Sequence, residues 1–303
     1  MLMKIKRCGY IIGVLVFALG FESCQVQDDD LGNGQYPILF GNTNTRALSG
    51  LDNLKNDGFQ VHAYYERSGN KVGTFQKEVT YQSGQNVWGY EGLEYWISGA
   101  DYWFNAFYPS TSSAYILTNT DASYTITDFD ITEQVDIMAA STSCTVNEGE
   151  TCPESGSVVN LTFDHLLACV VIEMRSQIPD ITISKITLGN VANNGDYNGN
   201  TWSSSSTCSF EHESGVTLTM GNLEYIDVTN GGILVIPETV TSQTLTIEAS
   251  NKTYQVTFPA GTWTKGQKYA YTAEIKQSDI VFADSPKVDV WDSESATGSV
   301  IIK

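Results

Sequence analysis

The sequence predicts an all-β protein in which short strands build two β-sandwich domains in tandem. Short runs of alternating apolar and polar residues recur along the chain, and many of them are rich in Tyr, Phe and Trp. The connections between them carry Gly, Asn, Asp and Ser, and no segment shows a long apolar period of 3.6 residues. Such spacing is typical of sandwiches and barrels. A chain of 303 residues is large for one sandwich, so two stacked domains are predicted.

Composition and charge exclude several classes of protein. The chain has 16 Lys and Arg against 35 Asp and Glu, and its formal net charge is −19. Because basic side chains supply most of the affinity for phosphates, no nucleic-acid partner is expected. The hydrophobic fraction of 41% and the aromatic fraction of 11% argue against a disordered acidic tail.

The first segment, residues 1–23, is predicted to be a lipoprotein signal peptide. Lys4, Lys6 and Arg7 precede an apolar run at residues 11–21, which is too short to span a bilayer. A buried N-terminal helix is the alternative. The run ends in Glu-Ser before Cys24, and this resembles a bacterial lipobox. The resemblance implies lipidation of Cys24 and an anchor in the outer membrane.

The next segment, residues 24–46, is predicted to be a tether followed by a removable first strand. Residues 28–30 are three aspartates. They resemble a surface-export signal of Bacteroides-like lipoproteins, and they also suit a solvated linker because like charges repel and extend a chain. Residues 36–41 form a short apolar strand candidate.

An N-terminal sandwich is predicted over residues 47–157. It begins with one or two helical turns at residues 48–54 and a strand at residues 59–66. That strand turns Phe59 towards the core and His62 towards the polar face, so a surface histidine is expected. Further strands are predicted at residues 87–90, 94–97 and 102–108.

A polar loop at residues 144–157 marks the predicted boundary, and residues 158–303 form the predicted C-terminal sandwich. In an exported chain, Cys144 and Cys152 are predicted to form a disulfide across this loop. Cys169 reads as a buried thiol, and its pairing with Cys208 is left open. The strands of this domain are predicted at residues 158–163, 166–174, 181–188, 216–220, 233–236, 245–249, 254–258 and 269–275.

Motifs that carry catalytic or metal chemistry are absent from the sequence. It has no Gly-x-Ser-x-Gly elbow, no His-Glu-x-x-His and no phosphate-binding Gly loop. No enzyme activity, cofactor or metal is therefore predicted. His165 is expected to be a structural histidine and His212 to lie in a loop, while residues 194–199 resemble the start of a calcium loop but favour a tight turn. The acidic pairs are expected to be solvated surface charge: Asp128 with Asp130 and Glu148 with Glu150.

An ordered set of segments resembles the fimbrillin-like proteins of Bacteroides-type bacteria. The segments are Thr45-Arg46-Ala47 before the strand at 59–65, the aromatic strand 102–109 ending in Tyr-Pro, residues 136–140 with 159–168, residues 233–239 and residues 261–272. The resemblance implies two transthyretin-like sandwich domains and a non-enzymatic structural or adhesive role in surface fimbriae. Cys169 departs from the family pattern, in which a basic residue is common at that point.

The resemblance also implies an assembly mechanism and its partners. A sandwich that lacks one strand exposes unpaired backbone groups, and an extended segment of another fimbrial subunit can fill that edge. An arginine-specific protease can cut such proteins, so cleavage between Arg46 and Ala47 is hypothesised to remove the first strand. The alternative is that Arg46 lies in an ordinary linker and the strand stays paired. A host or bacterial surface ligand is a further possible partner.

Two other classes of function compete with this reading. The first is an outer-membrane glycan-binding lipoprotein that stacks sugars on exposed aromatic side chains, and the second is a glycosidase with a paired-carboxylate cleft. Aromatic side chains buried between sheets favour the fimbrial reading, whereas a line of exposed ones favours glycan binding. The tryptophans that decide this are Trp88, Trp96, Trp103, Trp202, Trp263 and Trp291.

Overall fold

The computed structural model describes residues 36–45, 48–83, 87–204, 206–219, 224–283 and 285–291. These residues form twenty-four strands and a single α-helix, together with a short 3-10 helix at Ile131–Glu133. The predicted all-β fold class is confirmed. The described residues belong to one compact unit, and its division into two sandwich domains in tandem stays a prediction. The predicted signal peptide and Cys24 lie outside the described residues.

The elements follow one another along the chain with short connections. In chain order they are β1 (Leu39–Thr45), α1 (Leu48–Asp57), β2 (Phe59–Arg67), β3 (Asn70–Gln82), β4 (Val87–Gly89), β5 (Ala100–Tyr108), β6 (Ile116–Thr120), β7 (Ser123–Asp130), β8 (Met138–Thr145), β9 (Val158–His165), β10 (Ala168–Ser176), β11 (Ile181–Ala192), β12 (Asn194–Tyr197), β13 (Trp202–Ser203), β14 (Thr207–Glu213), β15 (Thr217–Leu218), β16 (Ile226–Asp227), β17 (Ile233–Val235), β18 (Thr239–Val240), β19 (Thr244–Ala249), β20 (Lys252–Thr257), β21 (Gly261–Thr262), β22 (Gln267–Ile275), β23 (Ile280–Phe282) and β24 (Lys287–Val290).

The predicted helix forms and extends to Asp57. Gly58 ends it, because a φ of +74° allows its amide to return to the Leu54 carbonyl oxygen at 2.8 Å. The prediction of a strand at residues 94–97 was wrong, since only Tyr95 makes a bridge there, to Pro37.

The sequence did not predict strand β3, because its apolar residues are few and Lys77 occupies the inward-facing position between Phe75 and Val79. The loop expected around His212 was also wrong. That histidine belongs to β14, which pairs with β11.

The first sheet has seven strands in the order β1-β9-β8-β5-β2-β3-β4. Its members surround one apolar core that also takes in Leu54 from α1 and Trp96. Strand β9 lies in this sheet although the predicted boundary at residue 157 placed it in the second domain, so the pairing of the N-terminal half continues to His165. Strands β1 and β4 are the two ends of the ladder, yet they contact each other, and the sheet therefore curves back on itself.

The C-terminal half places two further sheets around a second apolar core. One has the order β16-β10-β22-β23 with β17 and β24 attached, and the other has the order β14-β11-β19-β20 with β15 attached. Residues of β10 and β22 meet residues of β11 and β19 in a single cluster, as expected for facing sheets. Trp263 and Tyr271 lie inside this cluster, joined by a hydrogen bond of 3.0 Å.

The two halves are joined by strand pairing and by a third apolar cluster. β12 pairs with β7, with Gly195 opposite Phe129, inside a four-stranded sheet of order β13-β12-β7-β6. The cluster combines Phe107 and Phe129 from the N-terminal half with Tyr197 and Ile236 from the C-terminal half. A small sheet of β18 and β21 completes the fold.

Candidate functional site: the groove of the first strand

The first strand lies at one end of the seven-stranded sheet and has β9 as its ladder partner. The two strands run parallel, with Leu39 opposite Val158 and Thr45 opposite Phe163. Strand β9 has five registered partners along β1 but only two along β8. Most of the backbone pairing of β9 therefore depends on β1, and loss of β1 would leave β9 with unpaired backbone groups.

The residues that lead into β1 are bound on both sides. The amide of Ile38 donates to the Glu94 carbonyl oxygen at 2.8 Å, and the amide of Trp96 donates to the Tyr36 carbonyl oxygen at 3.1 Å. On the opposite side, the amide of Leu39 donates to the Ser157 carbonyl oxygen at 3.1 Å. This segment therefore occupies a groove between residues 94–96 and the start of β9, and it closes the curved sheet.

Two buried side chains, those of Ile38 and Phe40, anchor the start of the first strand. Ile38 is 0% exposed and Phe40 is 2% exposed, while Leu39 between them is only partly buried. The Phe40 ring lies 5.5 Å from the Tyr90 ring and 6.0 Å from the Phe104 ring, measured between centroids. A strand in this groove is thus recognised by two bulky apolar side chains that are spaced two residues apart.

The wall of the groove is built from aromatic and charged side chains that follow β4, together with Lys77 of β3. The Tyr90 hydroxyl donates to the Ile38 carbonyl oxygen at 2.6 Å, and the Lys77 ammonium pairs with Glu94 at 2.8 Å. Burial raises the pKa of Tyr90, although a hydrogen bond from the Glu94 backbone opposes this shift. The phenol therefore stays protonated and remains a donor at neutral pH. Trp96 Nε1 donates to the Ser157 carbonyl oxygen at 3.3 Å.

The sequence predicts the first strand but not the residues that receive it. Tyr90, Glu94 and Trp96 were assigned to ordinary strands, because a sequence pattern does not show which edges meet in a curved sheet. The signal that was available is the density of aromatic residues between 88 and 108. Arg46 and Ala47, the candidate cleavage site, follow the last residue of β1 in sequence and lie outside the described residues, so their role stays a prediction.

The predicted disulfide partners both contact the first core. Cys144 lies in β8 opposite Tyr102, and Cys152 lies in the loop before β9. Both side chains are partly buried and are free thiols in this structure. Burial raises the pKa of Cys144 to about 11. The disulfide between them stays a prediction for the exported protein.

The remaining cysteines lie in the C-terminal half. Cys169 is buried in β10, and its Sγ lies 3.7 Å from the Gly231 carbonyl oxygen. Cys208 is partly buried in β14, opposite Val191. The buried position expected for Cys169 is therefore found.

His62 and His165 lie in different environments. His62 was expected at the surface but is only 9% exposed, because its face of β2 is covered, and burial lowers its pKa. His165 is buried beside Asp136, with 2.9 Å between Nδ1 and the carboxylate, and its ring stacks on Trp291. Neither histidine is grouped with metal-binding side chains, since the described part of the chain holds no such cluster of His, Cys, Asp or Glu.

Two of the acidic residues that could be read as catalytic have structural partners. Asp130 caps the 3-10 helix by accepting from the Thr132 amide at 2.9 Å, and Glu148 forms an ion pair with Arg67 at 2.7 Å.

Residues 194–199, which resemble the start of a calcium loop, form a strand and a turn. Their first residues form β12, and Asn198 Oδ1 accepts from the backbone amides of its own turn.

Within the described residues, no helix is long and apolar enough to span a membrane.

The tryptophans are divided between buried and half-buried positions. Trp88, Trp96 and Trp263 are buried in the two large cores. The half-buried ones are Trp103, Trp202 and Trp291. Burial of the first three follows the pattern expected for a sandwich protein, whereas Trp103 lies on the outer face of the first sheet.

The sequence and the fold are both similar to those of known proteins. The sequence model of the family described as fimbrillin-like matches residues 45–291. A fimbrial protein from Bacteroides vulgatus has a similar solved structure, with 17% identity, a TM-score of 0.63, and 84% of this chain and 99% of that chain covered.

Two further solved structures are those of candidate cell adhesion proteins. One, from Bacteroides uniformis, has 17% identity, a TM-score of 0.55, and coverage of 86% and 100%. The other, from Bacteroides ovatus, has 13% identity, a TM-score of 0.53, and coverage of 86% and 99%. At these identities the likeness shows the fold alone. No curated protein matches the sequence significantly.

Proposed function

The chain belongs to the fimbrillin-like family, and from this membership we propose that it is a structural or adhesive subunit of a bacterial surface fimbria. The proposed role is mechanical and involves no catalytic step. The proposed location is the outer surface of the outer membrane, where lipid on Cys24 would hold the newly exported chain. The observation that carries the proposal is the groove of the first strand, which holds an extended segment by backbone hydrogen bonds and by the buried side chains of Ile38 and Phe40.

We propose that subunits join by strand addition in this groove. β1 has one ladder partner, and the curved sheet closes around the segment that precedes it. If β1 left, the exposed edge of β9 and the cavities of Ile38 and Phe40 would be costly in water. A segment of another subunit with two apolar side chains at alternate positions would restore the backbone hydrogen bonds and refill both cavities.

Cleavage between Arg46 and Ala47 is the proposed trigger. It would cut the covalent link between the first strand and the helix α1, and it would also separate the body of the protein from the lipid at Cys24. A cut chain would then be released into a fimbria, whereas an uncut chain would remain an anchored subunit. The same sequence therefore allows a stalk, tip or anchor role, and maturation selects among them.

N-terminal sequencing of surface-extracted protein tests the cleavage step. We expect a mature start at Ala47 in the wild type and a start at Cys24 in Arg46→Lys, because that variant keeps the charge but removes the arginine that the protease requires. Arg67→Lys is the matched control and should still start at Ala47. A wild-type protein that starts only at Cys24 would refute the cleavage step.

Immunogold electron microscopy tests the fimbrial role separately. Labelling along filaments would identify a stalk subunit, and labelling at filament ends would identify a tip or anchor subunit. Gold particles found only on cell surface away from filaments would refute the fimbrial role itself.

A further inference from the structure

A second site lies on the outer face of the first sheet, away from the core side that receives the first strand. A cleft of about 520 Å³ opens between β5 and β8 of that sheet, the start of β7, and the turn that joins β12 to β13. Its volume falls within the range of about 300–1,000 Å³ that is typical of small-molecule sites. Both halves of the chain contribute to its lining, so the cleft exists only in the assembled fold.

One wall of the cleft is aromatic. Trp103 projects from the outer face of β5 and is only half-buried, and Tyr124 lines the cleft from β7. Tyr64 lies beside Trp103 on β2, with 5.4 Å between the ring centroids and 39° between the planes. The face of an aromatic ring carries partial negative charge, so it attracts the weakly positive C–H bonds on the apolar face of a sugar ring.

The remaining lining consists of small neutral polar groups. Asn105 and Ser141 face each other across β5 and β8, and Ser143 lies opposite Trp103 in the next row. Asn200 completes the rim from the β12–β13 turn. Amide and hydroxyl groups act as donors and acceptors at once, which matches the hydroxyl groups of a carbohydrate.

Hydrogen bonds hold this polar lining in place before any ligand arrives. The Ser141 hydroxyl donates to Asn105 Oδ1 at 2.7 Å, and Asn105 Nδ2 donates to the Ala122 carbonyl oxygen at 3.2 Å. Asn198 Oδ1 accepts from the amide of Asn200 at 3.0 Å, which fixes the turn at the rim. Binding in a lining that is already ordered costs less conformational entropy.

The charge of the lining selects among ligand classes. The chain carries a net charge of −19, yet Asp, Glu, Lys, Arg and His are all missing from the residues that line this cleft. An ionic ligand would find no counter-charge here, and a purely apolar ligand would displace water from the exposed side chains of Ser141 and Asn200 without replacing its hydrogen bonds. From this combination we propose that the cleft binds a neutral carbohydrate, with Trp103 as the stacking platform, the exposed Ser141 and Asn200 as hydrogen-bonding groups, and the buried Asn105 as the residue that orients Ser141.

The test uses the full chain on a glycan array that presents neutral hexose and N-acetylhexosamine oligosaccharides beside sialylated and sulfated ones. The affinity of each neutral glycan that binds is then measured by titration calorimetry. We expect Trp103→Ala to weaken binding at least about tenfold and Asn200→Ala about threefold. Gln255→Ala removes an exposed amide from β20, outside the cleft, and should leave the affinity unchanged.

Three results would overturn the proposal. They are the absence of any neutral glycan among the binders, binding that is confined to charged glycans, and wild-type affinity in a folded Trp103→Ala protein. If Trp103→Ala does not fold, Asn200→Ala decides, since its side chain lies on an exposed turn and its loss should spare the core. The test needs neither strand exchange nor cleavage, so its failure would leave the proposed fimbrial role intact.

Discussion

Phe40→Ala is the sharpest test of the first-strand groove. The Phe40 side chain is 2% exposed and lies against Tyr90 and Phe104. Its transfer from water contributes about 1.5–3 kcal/mol, and the cavity left by truncation adds to this loss. The whole substitution should therefore lower the free energy of unfolding by about 3–5 kcal/mol, provided that β1 unfolds together with the sheet.

Denaturant unfolding of the full chain, followed by tryptophan fluorescence, measures this loss. Leu39→Ala is the matched control, because it truncates the partly buried neighbour on the same strand and should cost about 1 kcal/mol or less. Hydrogen exchange adds a local readout. The amides of β9 should exchange faster in Phe40→Ala, since β9 has most of its registered partners on β1. Equal losses in the two variants, or a loss below about 1 kcal/mol in Phe40→Ala, would refute the anchoring role.

Three further predictions test other parts of the fold. Gly232→Ala should lower the free energy of unfolding, measured in denaturant, by about 2–4 kcal/mol, because φ is +125° and the new methyl group would overlap the Cys169 sulfur. Gly261→Ala is the control, since the added methyl group would meet no atom and the free energy of unfolding should hardly change. Burial lowers the pKa of His62 in the folded protein from its usual value of 6.5. As the pH falls, the unfolded chain therefore binds a proton at this histidine before the folded protein does, and the free energy of unfolding should decrease between pH 6.5 and the lowered value. A His62→Gln protein should show a flatter profile of unfolding midpoint against pH. Burial raises the pKa of the free Cys144 thiol to about 11. In the reduced protein, iodoacetamide at pH 8 should therefore alkylate this thiol at least about tenfold more slowly in the folded state than in urea, as read by mass spectrometry.

Local sequence patterns predicted the elements whose formation depends on residues close together in the chain. The alternation of residues 59–66 predicted β2 and its core face, and spaced leucines predicted α1. Strand β3 was not predicted, because Gly73 and Lys77 occupy inward-facing positions and interrupt the alternation of apolar and polar residues, although burial alternates along the strand. The burial of His62 was missed for a different reason. Sequence shows which face of a strand a residue occupies, but not whether another part of the chain later covers that face.

The groove itself arises from contacts that are distant in sequence. Residues 36–38 meet residues 94–96, and β1 meets β9 more than a hundred positions later. The pairing of edges follows from how the whole sheet curves, and no local motif specifies it. This is also why the boundary predicted at the polar loop before residue 158 separated β9 from the sheet to which it belongs. A polar loop marks a break in the chain, whereas the extent of a sheet is set by its hydrogen-bonded ladder.

Strand β5 links the two proposed sites. Its residue Phe104 faces the core and contacts Phe40 of the first strand, while the preceding residue Trp103 faces outward into the cleft. β5 is paired along its length with β2 on one side and β8 on the other, so its backbone is held independently of β1. A change in the groove should therefore reach the cleft only through global unfolding. We expect Phe40→Ala to lower stability while the folded protein keeps wild-type affinity for any neutral glycan bound at Trp103. A loss of that affinity below the unfolding transition would show that the two faces of β5 are coupled.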